Sequence, residues 1–412
     1  MTGKLADAFV RIVGPGARVR FEAYDGSAAG PEDAPTRIKV MSPRALRMVA
    51  SAPGDLGLAR AYVSGEMQIE GDLHAALKEL SPASPGGVTW RDRLDVARAI
   101  GVRGLASPGR PAEEVHLRGR RHSKRRDAEA IAHHYDVSNR FYEWVLGPSM
   151  AYTCAVYPRE DATLEEAQFE KFDLVCRKLG LEPGMRLLDV GCGWGGMVLH
   201  AVQHYGVTAI GVTLSRAQAE WGTQAIKEAR LDDRAEVRFQ DYRDVAESDF
   251  DAVSSIGLTE HIGKEQLRSY FRFLYSKLKA KGRLLNHCIT RPTTTAPATK
   301  LRGFINRYVF PDGELLGIGH ITSVMQDNGF EIRHVEDLRE HYAKTLTAWC
   351  DNLRDHWDEA VQEVGIGKAR VWALYMAGSR LGFERNQIQL HQALGVRVSK
   401  DGDAAMPLRP AF

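Results

Sequence analysis

Hydrophobic and polar positions change rhythm along this chain. From residue 186 onward, short apolar runs (RLLDV, VTAIGVT, AEVRFQ, FDAVSSIG and GRLLNHCIT) alternate with amphipathic stretches ending near Tyr205, Arg230 and Leu278. Strand-length apolar runs separated by helix-length periodic segments predict a parallel sheet covered by helices, a doubly wound α/β domain. The segment 37–80 differs: RIKVMS reads as a strand, PRALRMVAS and GLARAYVSG as helices, with glycines between them, so a small α+β domain is expected there. Residues 81–126 are rich in Pro, Gly and Arg, the composition of exposed connectors. The expected organisation is therefore a domain over 1–105, a basic linker over 106–126, the α/β domain over 127–400 and a loose tail over 401–412.

Composition narrows the class without naming a function. With 44% hydrophobic and 26% charged residues over 412 positions, the chain is of ordinary globular composition, which excludes collagen-like or largely disordered architectures. No apolar run approaches the roughly 20 residues that span a bilayer, and the first residues lack a signal-peptide core, so a cytoplasmic location is expected. The five cysteines include no CxxC pair, which argues against a zinc cage, and no metal site is expected.

Charge is unevenly distributed. Residues 1–126 hold 21 Lys and Arg against 14 Asp and Glu, while the remainder carries an acidic excess of five. Arg118, Arg120, Arg121, Lys124, Arg125 and Arg126 concentrate the basic excess. Such a run attracts anionic surfaces, and its bland alternative is a solvated linker.

The most specific local feature is RLLDVGCGWGG, with glycines 191, 193, 195 and 196 between a buried strand and a helix. Glycines there let a ligand approach free amides at a helix N-terminus, which points to a nucleotide-like cofactor. An NAD site would carry a carboxylate about 20 residues on; here the next strand ends in GVTLSRAQ, which counts against a dehydrogenase. Thr213 and Gln218 offer neutral hydrogen bonds to a ribose, and Asp241 with Tyr242 follows the third strand, where an adenine edge lies in this topology.

Across about 127–395 the sequence resembles the cyclopropane fatty acid synthase family, which includes fatty-acid methyltransferases using S-adenosylmethionine. The motifs that carry the resemblance are HYDVSNRFYEWVLGPSMAYTCAVY, TLEEAQ, LLDVGCGWGG, GVTLSRAQ, TEHIG, LLNHCIT, YVFPDG and HYAKTLTAW. It implies a class I, Rossmann-like methyltransferase with a mixed seven-stranded sheet and a smaller N-terminal α+β domain. The resemblance assigns cofactor binding to Tyr135, Tyr152, Thr153, Gly191, Cys192, Gly193, Thr213, Leu214, Ser215, Gln218, Asp241 and Tyr242. It also implies a bound bicarbonate base held by Cys154, Glu260, His287 and Tyr342 with the backbone of Ile289, and Glu260 is the strongest candidate among them. Tyr308, Phe310, Trp349 and Phe383 are candidate walls of an acyl tunnel, although such aromatics are more often simple core.

The N-terminal region resembles that of longer family members acting on membrane phospholipids, in particular the branch that converts oleoyl chains to a 10-methylene product. The implied partners are membrane phospholipids at the inner face of the cell membrane, a second copy of the chain, and a flavin- or NADPH-dependent reductase acting on the product; nucleic acid is not expected. Ring closure to a cyclopropane is the alternative outcome at the same double bond. A non-catalytic lipid-binding protein, with the glycine turn serving packing alone, is the distant alternative.

Overall fold

The computed structural model describes residues 5–14, 16–52, 54–80, 109–115, 121, 122, 126, 138–298 and 303–412. The chain divides into two compact units: Met1–His116 with Lys300–Pro311 and Trp357–Leu381, and Leu117–Thr299 with Asp312–His356 and Gly382–Phe412. The linear division expected from composition is thus revised, because two later segments belong to the first unit.

The first unit is built on a four-stranded sheet of β1 (Val19–Ala23), β2 (Ala28–Ala29), β3 (Thr36–Val40) and β4 (Met67–Glu70), in the order β2-β1-β3-β4. Strand alternation turns Val19, Phe21, Ile38 and Val40 inward, where they meet the buried Ala45 and Met48 of the helix Pro43–Ser51. That helix starts where it does because the Ser42 side chain accepts the Arg44 amide and Pro43 supplies a ready-made first-turn φ. The segment 300–311 attaches through two hydrogen bonds: the Val115 amide donates to the Arg307 carbonyl at 2.7 Å, and the Phe304 amide donates to Asp55 Oδ2 at 3.3 Å. Arg60 donates twice to the buried Glu114 carboxylate, each bond 2.8 Å.

The second unit carries the α/β sheet. Its strands are β5 (Arg186–Val190), β6 (Thr208–Thr213), β7 (Ala235–Phe239), β8 (Phe250–Ile256), β9 (Leu278–Arg291), β10 (Leu316–Gly317), β11 (Glu331–Asp337) and β12 (Gln389–Val396). The order is β11-β12-β9-β8-β5-β6-β7, with the two-residue β10 beside β9. Strands β5 to β9 pair in parallel, whereas β12 lies antiparallel between β9 and β11. The sheet is therefore mixed, with seven strands on its main path. Order reverses between β5 and its two neighbours β6 and β8, which opens a crevice at the carboxyl ends of these strands.

The helix Leu164–Leu179 covers one face, begun by a Thr163/Glu166 capping box and ended by the left-handed Gly180. The tail 401–412 is not loose: Met406 and Phe412 pack against the core, the Phe412 ring meets His334, and Arg283 donates to the Ala405 carbonyl at 2.9 Å. Among the described residues no helix is long and apolar enough to cross a membrane.

Candidate active site

The glycine turn follows β5 directly. Gly191, Gly193 and Gly195 all adopt positive φ, and the Gly191 and Cys192 amides both donate to the Val212 carbonyl on β6. A Cβ on Gly191 would lie 3.1 Å from Leu258 Cβ at a backbone φ of +79°, so strain and crowding both favour glycine. The turn borders a cleft of about 1090 Å³ including its open mouth. Tyr152, Thr153, Gly191, Cys192, Gly193, Thr213, Leu214, Gln218 and Tyr242 of the expected cofactor set line it.

The remaining members of that set behave differently. Ser215 caps the helix Arg216–Glu228 by accepting the Gln218 amide, so it shapes the cleft from behind. Asp241 is engaged by Arg243, whose Nε and Nη2 reach its two oxygens at 2.8 and 2.6 Å, so its carboxylate is already neutralised. Tyr135 lies outside the described residues. Of the basic run, Arg121 and Arg126 both donate to Asp312; the other four lie outside the described residues.

A second cluster forms where β8 and β9 end. The register sets Ile256 opposite His287, and the Gly257 amide donates to the His287 carbonyl at 2.8 Å. The short helix Thr259–Ile262 follows, tied to β9 by Thr259 Oγ1 and Asn286 Oδ1 at 2.6 Å. This places the Glu260 carboxyl against β9, where Oε1 accepts the Ile289 amide at 2.7 Å. The family resemblance gives the Ile289 amide to a bound anion; in the structure it serves Glu260 instead. Glu260 Oε2 is buried without a hydrogen-bond partner, and burial raises the group to about 7.

His287 is oriented by a relay. Lys178 donates to Gln392 Oε1 at 2.7 Å, which turns the amide nitrogen of Gln392 toward His287 Nδ1 at 3.2 Å. Nδ1 must then accept, and burial with the nearby Lys171 and Lys178 charges keeps the ring neutral, its pKa well below the usual range. The remaining proton sits on Nε2, which is buried and has no partner. Glu260 Oε2 is therefore an unmet acceptor on the short helix after β8, and His287 Nε2–H an unmet donor on β9.

Cys154 and Tyr342 meet at Leu338, whose carbonyl lies 3.8 Å from the Cys154 thiol and accepts the Tyr342 amide at 3.2 Å. The Cys154 thiol is fully buried and donates to the Ala155 carbonyl at 3.1 Å; burial pushes it well above the usual thiol range, so it is a neutral thiol and no nucleophile. Tyr342 packs against Phe383 with ring centroids 4.6 Å apart and against Trp349, which in turn meets Tyr152 of the cleft. Trp349 and Phe383 thus belong to an aromatic wall beside the cleft. Tyr308 and Phe310 pack instead in the first unit, Tyr308 on Phe304 and Phe310 on Tyr375.

Among the cleft residues that sequence reasoning misses are the charged or titratable Lys171, Asp189, Arg243 and His261. A signal for Lys171 is present: Leu164, Ala167, Lys171, Phe172 and Val175 fall at helical spacing on one apolar face, and a lysine on such a stripe is anomalous.

A mixed sheet of this order, with a glycine turn under a switch-point cleft and no carboxylate at the tip of β6, defines a class I S-adenosylmethionine-dependent methyltransferase. The comparisons agree. The model of the mycolic acid cyclopropane synthetase family matches residues 122–393. A probable fatty acid methyltransferase of Mycobacterium tuberculosis is 54% identical over 403 residues, covering 95% of this chain and 94% of that protein. A probable fatty acid methyltransferase of Pseudomonas putida is 38% identical over 394 residues, covering 94% of each. The solved mycolic acid cyclopropane synthase CmaA1, complexed with SAH and CTAB, is 33% identical with a TM-score of 0.62, covering 65% of this chain and 98% of its own. The chain belongs to the mycolic acid cyclopropane synthetase family, and it is an S-adenosylmethionine-dependent methyltransferase.

Proposed function

We propose that this enzyme methylates the double bond of unsaturated, oleoyl-type phospholipid acyl chains and gives a 10-methylene product. The observation that carries the reading is the pair of unmet buried groups, Glu260 Oε2 and His287 Nε2–H, beside a cofactor cleft with an aromatic wall. S-adenosylmethionine, when bound, supplies an electrophilic methyl group to the alkene. The acyl chain then carries positive charge, and one proton must leave it to restore neutrality. Tyr152, Trp349 and Tyr342 present aromatic faces that tolerate that charge, and the buried setting excludes water that would trap it.

The unmet groups fit a bicarbonate ion, whose hydroxyl would meet Glu260 Oε2 and whose oxygens would meet His287 Nε2–H and Tyr342; the ion would supply the proton acceptor. Glu260 and His287 orient that acceptor and do not themselves need to change charge. The substrate class is favoured by coverage: the fatty acid methyltransferases match 94–95% of this chain, whereas a cyclopropane mycolic acid synthase of Mycobacterium leprae matches 61%. The reading extends to work on anionic phospholipid surfaces at the inner face of the membrane, as a homo-oligomer, with a reductase consuming the methylene product.

Ring closure at the same double bond is the second reading, favoured by the family model. The test is incubation with oleoyl phospholipid vesicles and methyl-labelled S-adenosylmethionine, followed by release of the fatty acids and proton NMR. Exocyclic methylene protons are expected; upfield cyclopropane protons would replace this product by the ring, and no labelled lipid would refute the substrate.

A further inference from the structure

The turn that carries Glu260 is too short to hold itself in place. The helix Thr259–Ile262 is four residues long, and Leu258 at its start makes no side-chain cap bond. A single turn is marginal on its own, and its last carbonyls have no partner within the helix. Its start is tied to β9 through Thr259 and Asn286. Its end is bracketed by Glu314: the Glu314 amide donates to the Glu260 carbonyl at 2.8 Å, and Glu314 Oε2 accepts the Lys264 amide at 2.8 Å. Backbone and side chain of one residue thus grip the turn on both sides of its C-terminus.

Glu314 is braced in turn by the basic run. Arg121 Nη1 and His122 Nε2 each lie 3.5 Å from Glu314 Oε1. Arg121 and Arg126 also donate to Asp312, two residues before it. His122 reaches the turn directly as well. Its Nδ1 donates to the His261 carbonyl at 3.2 Å, and its ring fills the space beside Gly263, where a Cβ would come within 2.4 Å of Nε2. The Glu314 carboxyl is held down to about 2, first by His122 and then by the Lys264 amide and Arg121, against the burial that would raise it. It is therefore a carboxylate near neutral pH and accepts from the amide while facing both cationic side chains.

We propose that Glu314 is a positioning residue for Glu260, and that Arg121, His122 and Arg126 serve the reaction by bracing the segment that holds it. Glu260 Oε1 is anchored on the Ile289 amide, so the direction of Oε2 follows from where the turn places the backbone of Glu260. A displacement of about 1 Å at a reacting centre costs on the order of 10²-fold in rate, and partial loosening costs less. The proposal rests on the reading in which Glu260 Oε2 orients the proton acceptor. Glu314 acts through Glu260 and not on the cofactor. It also gives the basic run, which cofactor binding leaves unexplained, a place in the chemistry.

The test is a double-mutant cycle on the full-length protein, read as labelled methyl transfer to oleoyl phospholipid vesicles with S-adenosylhomocysteine affinity measured alongside. Glu314→Ala should lower the maximal rate by about tenfold, with the KM for lipid and the affinity for S-adenosylhomocysteine within about twofold of wild type. In a Glu260→Gln background the same substitution should cost less than about twofold, because the carboxylate that Glu314 places is gone. His122→Ala, which leaves Glu314 in the chain, should show the same pattern at about threefold and carries the test if Glu314→Ala folds poorly. An unchanged rate, a loss carried by KM or by cofactor affinity, or an equal loss in the Glu260→Gln background would overturn the proposal. Full transfer by Glu260→Gln alone would overturn the reading of Glu260 on which it rests, and the proposal with it.

Discussion

Two buried clusters, one in each unit, use the same kinds of side chain in opposite ways. In the first unit the Glu114 carboxylate is closed by Arg60 through two parallel bonds, leaving no role for a ligand. In the second unit the Glu260 carboxyl meets one backbone amide and leaves Oε2 unmet, and His287 is turned by Gln392 to leave Nε2–H unmet. A buried charge with its partner in place is architecture. A buried polar atom held in position with no partner calls for one from outside the chain, a water or a ligand.

The sharpest way to break that comparison is to open the closed cluster. Arg60→Leu leaves a buried carboxylate unpaired and should cost about 3–5 kcal/mol in denaturant unfolding, with cofactor affinity of the folded protein unchanged. A cost below about 1 kcal/mol would mean that the pair is not architectural.

The open cluster makes the converse prediction. Glu260 has a folded value of about 7 against an unfolded value of 4.5, so the folded state holds the extra proton between them. Its contribution to stability is complete below the lower value and is lost as pH rises through the upper one. Glu260→Gln, fixed in the neutral form, should therefore gain on wild type by up to about 3 kcal/mol between pH 4 and pH 8, measured by denaturation at both. Parallel stability curves would show that Glu260 ionises as it does in water.

Smaller effects sharpen the outline of the site. Gly191→Val places a side chain at φ +79° and against Leu258, and should weaken S-adenosylhomocysteine by roughly 10–100-fold in calorimetry. Undiminished function would favour the lipid-binding reading, in which the turn only packs. Removal of residues 401–412 deletes the half-buried Met406 and Phe412, bares the core surface they pack against and should cost about 1–2 kcal/mol, seen as a lowered melting temperature; no change would restore the tail to a loose segment.

Much of the second unit is legible in the amino-acid sequence. Its strands are apolar runs bounded by turns, and the glycine turn announces itself because positive φ and close approach both demand glycine. The division into units is less so: the segments around Arg307 and after Trp357 join the first unit by contacts far apart in sequence, which periodicity cannot show. The same limit applies at Ile289, Asp241 and Arg126, whose residue types fit the roles expected of them while their actual partners, Glu260, Arg243 and Asp312, are set by folding. Lys171 is readable from its place on an apolar helical stripe, but its position in the cleft depends on how the helix packs over the sheet.

The most direct test of the central claim is to measure Glu260→Gln twice on one preparation, for methyl transfer to oleoyl phospholipid and for S-adenosylhomocysteine affinity. The account predicts that transfer falls by roughly 10²–10⁴-fold while affinity stays within about threefold, because Oε2 serves the reacting chain's proton acceptor and not the cofactor. Full transfer by the variant would contradict it.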